Sequence, residues 1–384
     1  MLRKVIHPSA SLPERPENLP DRPFRIGYLC ILGGMRGKLR RFEMSPFILP
    51  AWPFAYGGPS GWGTIRAFPE DFIVQEVLAF EPSGTGEHAF LQIRKIGENT
   101  DYVARQLARF ADVRQRDIGF AGLKDRHAVT TQWFSVWLPG KADPDWAAFA
   151  SASIEVLQAT RHARKLQRGA LSCNRFGLTV REWRGDRDKA EAQLDALQVS
   201  GIPNYFGEQR FGHRGRNVEQ ALALFQGKKA GREQRSLYLS AARSFLFNQV
   251  LAGRVEQRTW NRPLPGEICM LDKSHSRFKA DTLDQAIAGR VEAGEIHPTG
   301  VLWGRGDSGV TEAVAALEAE VIGRFPELAE GLQDSGVEIE RRALRVNVPD
   351  LAWEFLDDRL QLRFSLPAGS YATALLREVI DWND

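Results

Sequence analysis

The stretch "AGLKDRHAVTTQWFSV", Ala121 to Val136, sets a lysine, an aspartate, an arginine and a histidine in four consecutive positions between an apolar lead-in and an aromatic strand. Taken alone, Lys124, Asp125, Arg126 and His127 read most simply as a solvated hairpin loop. Gly122, just before Lys124, lets the chain turn sharply or approach a ligand closely. An aspartate at such a strand end can be a metal ligand, a general base, a nucleophile or a loop cap. Partner ligands for a metal are missing by spacing. Asp125 and His127 are close enough for an acid–base pair, and a carboxylate that caps the turn amides needs no function at all. The rest of the chain has to decide among these.

Working outward, "DIGFAG" leads into the loop as a short strand and "TQWFSVWLPG" leaves it as another. Upstream, "DFIVQEVL" and "HAFLQIRKI" read as strands. "NTDYVARQLARFADV" reads as a helix capped by Asn99 or Thr100, with Val103, Leu107 and Phe110 on one face. Downstream come the strands "IEVLQAT" and "FGLTVREW" and a helix "DKAEAQLDALQ". After "GIPNYFGEQRFG" the texture turns helical, with "LYLSAARSFLFNQVLAGRVEQ" and "DTLDQAIAGRVEAG" flanking a Gly/Pro-broken loop. Strand signals return in "RALRVNV", "LAWEFLDD" and "RLQLRFSLP", and a terminal helix "GSYATALLREVIDW" is expected to close the chain. Strands interspersed with helices without a fixed repeat imply an α+β fold around a largely antiparallel mixed sheet. The expected division is a flexible extension over 1–43, a catalytic domain over 44–200, an inserted helix-rich α/β domain over 201–342, and the catalytic domain again over 343–384. Met44 is an alternative start.

Composition narrows the function classes. The chain has 384 residues, 43% hydrophobic and 26% charged, which suits a globular protein with a sizeable core. No apolar run approaches the ~18 residues a membrane helix needs, and a soluble, cytoplasmic protein is expected. Cys30, Cys173 and Cys269 stand far apart, and the seven histidines form neither HExxH nor HxxxH, so a zinc site or disulfide framework is not expected. "GGMRGKLRR" is no phosphate-binding loop, since Leu39 follows Lys38 where Ser or Thr is required. The net charge of +3 divides unevenly: residues 1–43 carry +5 and the remainder −2. Within that remainder, basic residues gather in "RHARKLQRGALSCNRFGLTVREWR" (161–184), "FGEQRFGHRGR" (206–216) and "GKKAGREQR" (227–235). Any one run reads as a solvated face. Three runs interleaved with Phe176, Trp183, Tyr205, Phe206 and Phe211 point to RNA.

The loop closely resembles the signature of the TruD family of tRNA pseudouridine synthases, "AG-x-KD-[KR]-x-A-x-T-x-Q", present here as Ala121, Gly122, Lys124, Asp125, Arg126, Ala128, Thr130 and Gln132. Four further blocks are similar to family blocks and stand in family order: "PEDFIVQE" (69–76), "RKLQRGALSCNRFGLTVRE" (164–182), "PNYFGEQRFG" (203–212) and "LPAGSYATALLRE" (366–378). The resemblance runs from about Gly61 to about Trp382 and leaves the N-terminal extension uncovered.

The resemblance implies a pseudouridine-synthase-type catalytic domain interrupted by a TRUD domain, acting on uridine 13 of tRNA. It also implies Asp125 as the catalytic nucleophile. Whether the carboxylate adds to the ribose C1′, adds to the base or removes a 2′ proton stays open at the level of sequence. Phe72, Asn174, Phe176 and Tyr371 fall on the family's uridine-contacting positions, although Phe72 and Phe176 also suit an ordinary strand-face core. Asn174 has the donor and acceptor pair to read a uracil edge. Tyr371 stands where phenylalanine also occurs and adds a hydroxyl that needs a partner if buried. Cys173 stands where glycine is expected. Other pseudouridine synthases set a basic residue against the aspartate; Arg66 is the first candidate here and Lys124 the second. Arg161, Arg164, Lys165, Arg168, Arg210, Arg214 and Arg216 are candidates for the RNA backbone. The expected partner is tRNA, with no cofactor, metal, membrane or obligate protein partner, and the chain is expected to be a monomer. Three other readings are a synthase with a different RNA target, an inactive RNA chaperone and a hydrolase using Asp125 and His127.

Overall fold

The computed structural model describes residues 47–280 and 282–383. The extension expected over 1–43, the alternative start at Met44 and Cys30 lie outside the described residues.

The first part of the chain alternates in period two and folds accordingly. Strands β1 (Gly61–Thr64), β2 (Phe72–Leu78) and β3 (His88–Ile96) are followed by helix α1 (Thr100–Phe110), then β4 (Ile118–Phe120), β5 (Val129–Trp137), β6 (Ile154–His162), β7 (Leu171–Gly185) and helix α2 (Arg187–Ser200). Val103 and Leu107 of α1 are fully buried, but Phe110 is 36% exposed. It meets the rings of Trp146 and Phe149, which belong to the same core cluster as Val103 and Leu107. In α2 the Asp186 carboxylate accepts from the Lys189 amide at 3.0 Å, satisfying one of the open donors of the first turn. That helix stops at Gly201, whose φ of +78° and 2.4 Å clearance to the Val346 carbonyl leave no room for a side chain.

The middle of the chain builds a second core. Strand β8 (Ile202–Pro203) leads to helices α3 (Arg216–Phe225) and α4 (Arg232–Glu256), strands β9 (Ile268–Leu271) and β10 (Arg277–Lys279), and helix α5 (Gln285–Glu292), shorter than its periodic pattern implies. Strand β11 (Ile296–Leu302), helices α6 (Glu312–Gly323) and α7 (Pro326–Asp334), and strands β12 (Glu340–Ala343) and β13 (Arg345–Val346) follow. Strands β10, β9, β11 and β12 form an antiparallel sheet in that order. The apolar side of α4, from Ala241 through Phe245 and Phe247 to Leu251, is buried in this core. Strands β8 and β13 pair antiparallel, Pro203 opposite Arg345, so the chain leaves and re-enters this region at adjacent positions.

Strands β14 (Ala352–Leu356) and β15 (Arg359–Pro367) then rejoin the first sheet, which has ten strands and the central order β14-β15-β7-β2-β5-β3-β6. β4 bonds to β5, and β1 bonds to both β7 and the closing strand β16 (Ile380–Asn383). β2–β5 and β1–β16 run parallel and the other pairs of this sheet antiparallel, the mixed, largely antiparallel sheet expected from sequence. The expected terminal helix is corrected: helix α8 spans only Ala372–Leu376, and the chain closes with strand β16 (Ile380–Asn383). The edge of β1 offers hydrogen bonds to that segment, with Gly61 opposite Ile380, and this pairing overrides local helix preference. No helix among the described residues is long and apolar enough to cross a membrane.

Candidate active site

The loop between β4 and β5 is held from below by a polar lattice. Gln132, on β5, donates from Nε2 to the Gly122 carbonyl at 2.5 Å and accepts from the Thr100 hydroxyl at 2.9 Å. The same hydroxyl accepts from the Lys124 amide at 3.0 Å. Asp125 is therefore presented on a fixed backbone. Its Oδ1 accepts from the His127 amide at 3.1 Å, and its Oδ2 lies 3.1 Å from Arg66 Nη2. The carboxylate is at once a turn cap and one half of an ion pair, with its side chain 34% exposed.

Arg66 reaches Asp125 from the segment between β1 and β2. Its φ of +56° places a non-glycine residue in the left-handed region, at a cost of about 1–3 kcal/mol. The guanidinium sits 4.5 Å above the centre of the Phe72 ring, and this stacking and the ion pair offset the strain.

Strand register supplies the rest of the wall. Phe72, Val74 and Glu76 alternate along one face of β2, opposite Leu178, Phe176 and Asn174 on β7. The β7 residues in turn face Leu362, Phe364 and Leu366 on β15. Phe72 meets Phe176 edge-on at 6.3 Å, and Phe176 stacks on Phe364 at 5.2 Å. Both phenylalanines are packed against the core and also line a pocket of about 320 Å³. Arg66, Lys124, Asp125, Asn174 and Tyr371 line the same pocket. The Tyr371 hydroxyl has its partner: Arg210 Nε donates to it at 3.0 Å. Asn174 Oδ1 is buried with no hydrogen-bond partner among the described residues. At Cys173 the register of β7 against β2 shifts, and the Ser172 hydroxyl bonds the Val77 carbonyl across the irregularity.

A sequence model of the family described as tRNA pseudouridine synthase D (TruD) matches residues 53–231 and 217–379. The chain belongs to the TruD family. A tRNA pseudouridine synthase D from Methylococcus capsulatus is 55% identical over 334 residues, 86% of this chain and 94% of that one. The protein of the same name from Nitrosococcus oceani is 52% identical over 333 residues, 85% of this chain and 93% of its own length. A crystal structure of a Methanosarcina mazei chain assigned to TruD superposes with a TM-score of 0.67, covering 85% of this chain and 95% of that one. Its 22% identity makes this a statement about the fold.

Within this TruD chain two expectations are corrected. Lys124 does not support the Asp125 carboxylate. Its Nζ turns inward and lies 2.5 Å from Oε1 of Glu76, whose side chain is fully buried. A β2 carboxylate pointing inward must be neutralised, and Lys124 is the cation within reach. Asp125 and His127 also form no side-chain pair: only the His127 amide meets the carboxylate, and its imidazole is exposed.

Burial raises the pKa of Glu76, and the Lys124 ammonium holds part of that rise back. The other Glu76 oxygen accepts from the Trp133 amide at 2.9 Å. Beside this pair, Lys95 lies on the face of β3 that also carries Leu91 and Ile93, and it is 1% exposed. Its Nζ donates to the Glu98 carbonyl at 2.7 Å and to the Asp125 carbonyl at 3.4 Å. Burial, reinforced by the nearby Lys124, lowers its pKa to about 8. Glu76 and Lys95 have no role in the sequence reading, and Thr100 has only that of a candidate helix cap. The available signal for the first two was a charge at an inward position of an alternating strand. Among the described residues no three His, Cys, Asp or Glu side chains gather as a metal site.

The basic candidates separate into three groups. Arg164, Arg168, Arg214 and Arg216 are exposed, with Arg168 stacked on Phe120 at 4.4 Å. Arg161 is tied to Asp143 at 2.9 Å and to the Lys141 carbonyl, and Lys165 donates to the Arg116 carbonyl at 2.6 Å. Arg210 is half-buried and joined to the pocket through Tyr371.

Proposed function

We propose that this chain isomerises a uridine of tRNA, at position 13, to pseudouridine, with Asp125 as nucleophile. The carrying observation is one pocket that brings together an oriented carboxylate, three aromatic rings and an unsatisfied amide oxygen. A buried acceptor without a donor costs about 1–3 kcal/mol, and the N3–H of an extruded uracil would supply that donor to Asn174. Phe72, Phe176 and Tyr371 supply apolar ring surface around the base. At about 320 Å³ the pocket stands at the small end of the range ligand sites occupy, suited to one nucleoside rather than to a stacked pair.

In the proposed reaction the N1–C1′ bond breaks, the uracil turns, and C5 bonds to C1′. The proton leaving C5 is balanced by the one N1 gains, so no redox partner or leaving molecule is required. Arg66 holds the Asp125 carboxylate aimed at the ribose. A stacked uridine cannot reach such a recess, so it must be extruded first. Residues 201–342 are proposed as an inserted domain, supported by the β8–β13 pairing at its two ends. Arg164, Arg168, Arg210, Arg214 and Arg216 are the proposed phosphate contacts, acting in a cytoplasmic monomer.

The test is pseudouridine mapping by carbodiimide labelling and primer extension on transcribed tRNAs, with no cofactor added. A stop at position 13 with wild type and none with Asp125→Ala is expected. Arg66→Ala should lower kcat/KM by roughly 10- to 150-fold, the equivalent of a charged hydrogen bond of about 1.5–3 kcal/mol. Binding without a stop on any tRNA would overturn the assignment.

A further inference from the structure

Leu123 is 61% exposed at the rim of the pocket, two residues before Asp125. Several other exposed apolar side chains have partners or a place in the sheet. Phe68 carries the Arg181 guanidinium at 4.7 Å from its ring centre, Phe54 carries Arg377 at 4.2 Å, and Ile73 lies on the opposite face of β2. Leu123 joins none of the hydrophobic clusters among the described residues. Its backbone is nonetheless fixed on both sides, by Gln132 on the Gly122 carbonyl and by Thr100 on the Lys124 amide. Lys124 turns into the wall and Asp125 faces the pocket, so the isobutyl group is displayed outward on a rigid support.

Exposing a large aliphatic group to water has no folding benefit. A nucleotide that leaves a stack, however, opens a gap between two apolar base faces, and proteins that unstack nucleic acids fill such gaps with Leu, Ile, Phe, Met or Pro. We propose that Leu123 is the wedge that occupies the place vacated by the extruded uridine, in contact with the faces of the two flanking bases. This rests on the uridine-extruding reading given above. Bulk and apolarity are what the position requires, so a different large apolar side chain serves in its place.

The test is single-turnover tritium release from tRNA carrying [5-³H]uridine, at saturating enzyme, for wild type, Leu123→Ala and Leu123→Met. Tritium release by wild type checks the isomerase reading itself, separately from the variants. Leu123→Ala is expected to slow the saturating rate by roughly tenfold or more, equivalent to about 1.4 kcal/mol. Its tRNA affinity and unfolding midpoint should be unchanged, and Leu123→Met should restore the rate. A tRNA with 2-aminopurine beside the target uridine should brighten on binding wild type and stay dim with Leu123→Ala. A Leu123→Ala rate within twofold of wild type, or loss of affinity at an unchanged saturating rate, overturns the wedge while leaving the isomerase reading intact.

Discussion

Lys124→Met strands a carboxylate in the interior. Among the described residues the fully buried Glu76 accepts hydrogen bonds from Lys124 Nζ at 2.5 Å and the Trp133 amide at 2.9 Å, while the Lys124 side chain is itself 8% exposed. Breaking a buried pair from one side costs about 3–5 kcal/mol. That corresponds to roughly two to four powers of ten in the ratio of folded to unfolded chain. Removing both charges leaves an amide that still accepts from Trp133 and strands no ion, so Glu76→Gln/Lys124→Met should recover most of the loss. Urea unfolding of wild type, both single variants and the double variant at pH 7 measures the cycle. The pH dependence has a definite sign. Burial raises the Glu76 pKa and Lys124 restrains it, so without Lys124 it climbs further. A carboxylate with a raised folded pKa gives stability that is complete below its unfolded pKa, about 4.3, and lost as pH rises through the folded one. Lys124→Met should therefore become more stable as pH falls from 7, and the double variant should lack that trend. A cost below about 1 kcal/mol, the value of an exposed pair, would refute the reasoning. So would a double variant no more stable than Lys124→Met.

Lys95 gives the opposite slope. Its pKa is lowered to about 8 in the folded chain, against about 10.4 when unfolded. Between those values the unfolded chain binds more protons, so wild-type stability should gain with rising pH relative to Lys95→Met, as read from urea midpoints across that window. Tyr371→Phe loses the 3.0 Å bond from Arg210 but keeps the ring. Steady-state kinetics should show KM for tRNA raised by no more than roughly tenfold, about 1.4 kcal/mol, with kcat little changed, whereas Tyr371→Ala should also lower kcat.

The sequence made the loop readable because its residues are contiguous: Gly122, Lys124 and Asp125 identify a shaped turn before any contact is known. Arg66 was reachable as well, as a cation just before the "EDF" block whose phenylalanine it covers. Pairings across the sheet were not. Glu76 and Lys124 are 48 positions apart, and nothing local says that this lysine turns away from the neighbouring aspartate. The inward phase of β2 does mark Glu76 as a buried carboxylate, but the strand pattern names no partner. The closing segment failed for a related reason. "LLREVIDW" has helical composition, and only the open edge of β1, more than three hundred residues earlier in the chain, makes it a strand. Local pattern fixes what a segment can be; an edge or a buried charge elsewhere selects among those states.

The buried pair also has a consequence for the proposed nucleophile. Lys124 is covalently next to Asp125, so an unrestrained ammonium there would compete with Arg66 for the same carboxylate. A flexible point charge would hold it in many geometries, where a planar guanidinium holds it in few. Glu76 removes that competitor by drawing Nζ into the sheet, and Lys95 fixes the Asp125 carbonyl from the next strand. The carboxylate is then oriented by Arg66, stacked on Phe72, and by the His127 amide. A buried ion pair is weak evidence for stability by itself. At this site its cost is matched by a single orientation of the carboxylate that the proposed reaction uses.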